Sequence, residues 1–130
     1  SKKEATLIAL NPIFIRQIDS KFILYPNDIN KRTIIAYGSH NVSEITLRLR
    51  DYLLRLQSFP KLPREILLER LYYLLSEKWM KEYRKKKVKE YTNKALEVMI
   101  TLGLLKYYKI IPAKTTGEPK IIFTLNKEFE

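Results

Sequence analysis

The sequence contains no cysteine, only three glycines, one histidine and one tryptophan among its 130 residues. Without cysteine there can be no disulfide, no thiol nucleophile and no thiolate metal site, a usage compatible with a reducing cytosol. The one histidine, His40, sits near Gly38 and Asn41 in a turn-like stretch. No neighbour in sequence would make it a general base, so it reads as an exposed loop residue. Paired-carboxylate signatures, metal-ligand spacings, a phosphate-cradling glycine loop and a Ser/His/Asp order are all missing. The expectation is a protein that is not an enzyme and uses no metal or cofactor. Long apolar runs are missing too, because Arg, Lys or Glu interrupts every such segment, and the N-terminus has no signal-peptide pattern. No membrane partner and a cytoplasmic location are therefore expected. The chain starts at Ser1 rather than Met, which is read as a processed end or a piece of a longer protein.

Acidic residues are scarce relative to basic ones, 14 against 25, and the formal charge is +11. A field of that sign attracts nucleic acid, an anionic surface or an acidic protein, and says nothing about fold. Hydrophobic residues make up 45%, enough for a core, and the length suits one domain.

Along the chain, Asn11-Pro12 marks a short helix over about 12–18, and "KFILYP" (21–26) reads as a strand closed by proline. Asn27 or Asp28 caps a helix stopped near Gly38. Ser43 caps a stronger helix with Ile45, Leu49, Tyr52, Leu53 and Leu56 on its apolar side. After the break at "SFPKLP", Pro63 is expected to open a third helix. Its buried stripe would comprise Ile66, Leu67, Arg70, Leu71, Leu74 and Leu75, and it would run to Trp79 or Met80. The next helix, ended by Gly103, places Val88, Tyr91, Ala95, Met99 and Leu102 inward. Lys86, Lys89, Glu90, Asn93 and Glu97 face outward, with Lys87 and Lys94 flanking them. Two β-rich runs, 104–111 and 120–125, enclose "PAKTTGEP" and form a hairpin turning at Gly117.

The order from Ser43 onward (helix, helix, helix, strand, loop, strand) resembles a winged helix-turn-helix domain. The likeness rests on "VKEYTNKALEVMITLGLLKYYKIIPAKTTGEPKIIFTL", about a third of the chain. In it the phrase Leu102-Gly103-Leu104 joins a basic amphipathic helix to a hairpin with a basic tip. A narrower likeness, in "YPNDINKRTI", "SEITLRLRDYL" and "IFTLN", is to bacterial plasmid replication initiators. The first forty residues fall outside the winged-helix pattern. The resemblance implies an α+β, mainly helical fold: an N-terminal strand/helix extension (1–42) and a winged helix-turn-helix domain (43–130) with a C-terminal β-hairpin wing.

It also implies a recognition helix over about 85–102. There Lys86, Lys89 and Asn93 would read bases in a major groove, Asn being suited to adenine and Lys to guanine. Arg84, Lys85, Lys87 and Lys94 would contact phosphates, while Lys114, Thr115, Thr116 and Lys120 of the wing would hold the flanking backbone. Between Lys78 and Lys94 there are eight basic residues and two acidic ones. A solvated helix face would explain a charge run just as simply. Cations at a helix N-terminus, however, oppose the helix dipole and are stabilising only when an anion meets them. Arg48, Arg50 and Arg55 read as structural, and Tyr72, Tyr73, Trp79, Tyr83 and Tyr91 mostly as core. The expected partner is double-stranded DNA, bound as part of a nucleoid-associated replication initiator or transcription regulator, with a homodimer on paired half-sites. The alternatives are an acidic protein partner and RNA.

Overall fold

The computed structural model describes Pro26 and residues 28–129. The helix expected after Asn11 and the strand expected at 21–25 lie outside these residues. Helix α1 (Ile29–Tyr37) begins after Asp28, whose side chain makes no capping bond, and ends at Gly38 in the left-handed region (φ 89°). Helix α2 (Glu44–Ser58) starts at Ser43, whose hydroxyl accepts from the Thr46 amide at 3.1 Å. One orphan donor of the first turn is satisfied in this way.

The chain then departs from the sequence expectation. Pro63 does not open a helix. Glu65–Leu67 form a short strand, β1, and helix α3 (Leu68–Leu75) follows at once. The apolar spacing from Ile66 onward suits a helix, but the backbone of 65–67 is claimed by β3, with Ile66 opposite Ile121, 55 residues along the chain. A three-residue strand carries no periodicity of its own to announce this. The third helix also stops early. Ser76 adopts an extended conformation (φ −156°), and a separate short helix, α4 (Glu77–Lys81), follows. Helix α5 (Lys85–Leu102) is the longest and ends at Gly103 (φ 94°), whose amide donates to Met99 and Ile100. Strands β2 (Leu105–Pro112) and β3 (Pro119–Leu125) complete the described chain.

The fold is α+β, with helices packed on one three-stranded antiparallel sheet of order β1-β3-β2. Ile66 lies opposite Ile121, and Ile121 opposite Ile110, so β3 forms the centre. The core gathers Leu49 and Leu53 from α2, Leu71 and Leu75 from α3, Val88, Leu96 and Met99 from α5, and Ile121 and Phe123 from β3. Each fully buried side chain of this size is stabilising by about 1.5–3 kcal/mol.

The inward side of α5 is wider than a single stripe. Thr92, Leu96 and Val98 are buried beside Val88, Ala95, Met99 and Leu102. The helix touches all four of the others and β2, and a helix so surrounded buries more than one row. Tyr91, expected inward, lies at the rim, edge-on to Trp79 with ring centroids 5.3 Å apart. Among the other aromatic residues expected in the core, Tyr72 is buried and Trp79 half-buried, whereas Tyr73 and Tyr83 are exposed. On β2, Tyr107 is exposed and Tyr108 half-buried, as strand alternation requires.

Two local devices fix the ends of α5. At its start, the Arg84 amide donates to the Trp79 carbonyl at 2.8 Å and the Tyr83 amide to Met80 at 3.1 Å. This is the paired bonding of a Schellman motif closing α4, with Tyr83 at the left-handed position (φ 58°). Glycine usually takes that place, and a residue with a Cβ costs about 1–2 kcal/mol there. At its far end, the Asn126 side chain donates to the Gly103 carbonyl, and the Asn126 amide donates to Leu104, both at 2.9 Å. The Gln57 amide group caps the Asn126 carbonyl from α2.

Besides its packing against α5, helix α1 is tied to α2 through Arg50. The Arg50 guanidinium donates to Asn30 Oδ1 at 2.9 Å and to Thr33 Oγ1 at 3.3 Å, and pairs with Asp51 at 3.0 Å. Arg50 is 7% exposed. The structural role expected for it is thus the one it has. Arg48 likewise pairs with Glu44 one turn earlier.

Candidate nucleic-acid interface

The site is built outward from the core. With Val88, Thr92, Ala95 and Met99 directed inward, the 3.6-residue period sends Lys86 and Asn93 to the opposite side of α5 and Lys89 to the flank beside them. All three are exposed, and none makes an ion pair or hydrogen bond to a described residue. Glu90 lies on the same side between Lys89 and Asn93, and Glu97 further along. The first turn carries no acidic residue, and the N-cap, Arg84, makes no side-chain capping bond. The first turn of α5 is thus cationic at an end where the helix dipole is also positive.

The remaining candidates on and around α5 are held by neighbours. Lys85 pairs with Glu69 of α3, and that hydrogen bond raises the lysine's pKa above its ordinary value. Arg84 lies 3.7 Å from Glu82 and over the Trp79 ring. Lys87 places its ammonium 4.4 Å from the Trp79 centroid, and Lys94 places its own 4.8 Å from that of Tyr37. These are cation–π contacts that direct the two lysines sideways along the protein. A cluster that is uniform in sequence therefore separates into cations with a protein partner and cations without one.

In the hairpin, Lys114 and Thr115 are exposed at the tip, and Thr116 Oγ1 accepts from the Glu118 amide. Lys120 pairs with Glu65 across the sheet at 3.0 Å. Gly117 turns the loop at φ 76°, and the Ala113 and Gly117 amides close it with bonds of 2.7 and 2.8 Å. The tip does not meet Lys86 or Lys89. It lines an open groove with the end of α2 (Tyr52, Arg55), with β1 and with Arg70 and Leu74 of α3. Helix α3 links the two regions: Glu69 holds Lys85 on one side, and Arg70 faces the hairpin tip on the other.

Arg70 was not among the candidates from sequence. Helical spacing assigned it and Leu74 to a buried stripe, whereas Arg70 is exposed and Leu74 is 47% exposed. The error follows from the start of α3. Moving the helix start from Pro63 to Leu68 leaves a helix buried through Leu71, Tyr72 and Leu75. The polarity of Arg70 was the available signal.

Among the described residues, no group of three His, Cys, Asp or Glu side chains could hold a metal ion, and no helix is long and apolar enough to cross a membrane. No protein-family model matches the chain, and neither a curated protein nor a solved structure matches it.

Proposed function

We propose that this chain is a winged helix-turn-helix domain that binds double-stranded DNA, with α5 as the recognition helix and the β2–β3 hairpin as the wing. The observation that carries the reading is the face of Lys86, Lys89 and Asn93. Two cations and an amide stand exposed, with no ion pair or hydrogen bond to a described residue, on the first half of an 18-residue helix whose other side is core. A helix in the major groove contacts base edges with residues in that part. From α2 onward the order helix, strand, three helices, hairpin, with the short α4 between α3 and α5, is compatible with the same reading, because β1 pairing on β3 closes the hairpin onto the helical part. Arg70 and Lys114 would add phosphate contacts on the hairpin side. The biological setting that goes with this reading is replication initiation or transcription regulation at the nucleoid, on a single site or as a dimer on paired sites.

The test is a duplex titration at several salt concentrations with the wild-type chain and Lys86→Ala/Lys89→Ala. Removing two cations from the groove makes the slope of log K against log salt shallower, by at most about 1.8. Identical curves for the two proteins would remove α5 from the interface. Wild-type binding to structured RNA or to an acidic protein, with no duplex bound, would move the same face to those partners.

A further inference from the structure

Tyr83 is the residue that the fold explains least by itself. It is 95% exposed, so its ring packs against nothing in the described chain. Its backbone is left-handed at φ 58°, in a Schellman turn where glycine would be free of strain. A strained position with no return inside the chain points to a contact outside it. Its surroundings narrow the partner. Lys81, Arg84, Lys85 and Lys86 lie within three residues on either side; Lys81 pairs with Glu77, Arg84 with Glu82 and Lys85 with Glu69, and Lys86 makes no ion pair to a described residue. The turn thus presents one aromatic hydroxyl beside Lys86, directly before α5. Tyrosine hydroxyls are among the side chains that bond phosphate oxygens on duplex DNA.

Building on the DNA-binding reading, we infer that Tyr83 is a sugar–phosphate contact: its phenol donates to a phosphate oxygen at the edge of the groove entered by α5. The contact is neutral, which separates it from the lysines. Losing it releases no additional counterion and leaves the salt slope unchanged, whereas losing Lys86 and Lys89 lowers it.

The experiment compares wild type, Tyr83→Gly, Tyr83→Phe and Lys86→Ala/Lys89→Ala on one mixed-sequence duplex across a salt series, together with thermal melts. Tyr83→Gly relieves the left-handed strain and is expected to raise Tm by about 3–6 °C. It should weaken duplex binding about 10- to 100-fold at unchanged slope, as the loss of one hydrogen bond to a charged group would. Tyr83→Phe, which keeps the ring, should reproduce most of that loss. Wild-type affinity in Tyr83→Gly would overturn the inference while leaving the DNA reading intact if the lysine pair still weakens binding. A fall in Tm for Tyr83→Gly would overturn the strain argument beneath it. Absence of wild-type duplex binding would overturn both.

Discussion

Arg50 and the pair Lys86/Lys89 carry the same sign of charge and do opposite things with it. Arg50 is buried between α1 and α2 and directs its guanidinium to Asn30, Thr33 and Asp51. Lys86 and Lys89 stand exposed on α5 with no ion pair or hydrogen bond to a described residue. A buried guanidinium must be bonded, because an unpaired charge away from water is costly. An exposed ammonium carries no such obligation and is available to a phosphate. Charge in this chain is therefore a poor guide to function until its partners are known. A net +11 counts both kinds alike.

The largest expected effect breaks the comparison from the buried side. Arg50→Ala removes the bonds to Asn30 and Thr33 and should destabilise the fold by about 2–3 kcal/mol in chemical denaturation. Duplex affinity measured where the variant is still folded should match wild type. A large affinity loss there would mean that the two classes are coupled. From the exposed side, Lys86→Ala/Lys89→Ala should weaken duplex binding roughly 10- to 50-fold at low salt, while stability changes by less than about 0.5 kcal/mol. If that variant unfolds easily instead, the lysines belong with Arg50.

Two smaller effects sharpen the boundary. Arg70→Ala removes a cation that sequence spacing had assigned to the interior. With Arg70 exposed toward the hairpin tip, it should leave the melting curve in place and weaken duplex binding about 3- to 5-fold. Glu69→Gln acts on the intermediate case, Lys85. The pair is exposed enough that its loss should cost less than about 1 kcal/mol. The lysine it releases should tighten duplex binding about 2-fold, measured in the same titration. Weaker binding in Glu69→Gln would show that Glu69 positions Lys85 for the ligand rather than withholding it.

How much of this was legible follows the range of the interactions concerned. Ser43, Gly38, Gly103 and Gly117 act on backbone atoms a few residues away, and their types alone marked the ends of α1, α2 and α5 and the hairpin turn. The outward set Lys86, Lys89 and Asn93 was legible because a long helix has a sharp period. Strand β1 was not, because its pairing with Lys120–Ile122 depends on residues far along the chain. The start of α3 was lost with it, and hence the exposure of Arg70. The pairings of Lys85, Lys87, Lys94 and Lys120 depend on where α1, α3, α4 and β1 come to lie, so the sequence could count these cations but not sort them. Tyr83 escaped for a different reason: a turn that normally announces itself by glycine is here closed by tyrosine.

Strand β1 has a kinetic side as well. Among the described residues its strand partner is β3, and α3, α4, α5 and β2 all lie between them in the chain. The β2–β3 hairpin closes over a six-residue loop (113–118) and forms from local contacts. Joining β1 means closing a much longer segment of chain for only three residues of ladder, so the entropy of closure weighs most on the smallest strand. The sheet is therefore expected to assemble from the hairpin outward and to open first at β1, so that in hydrogen exchange the amides that pair β1 with β3 lose protection before those of the hairpin.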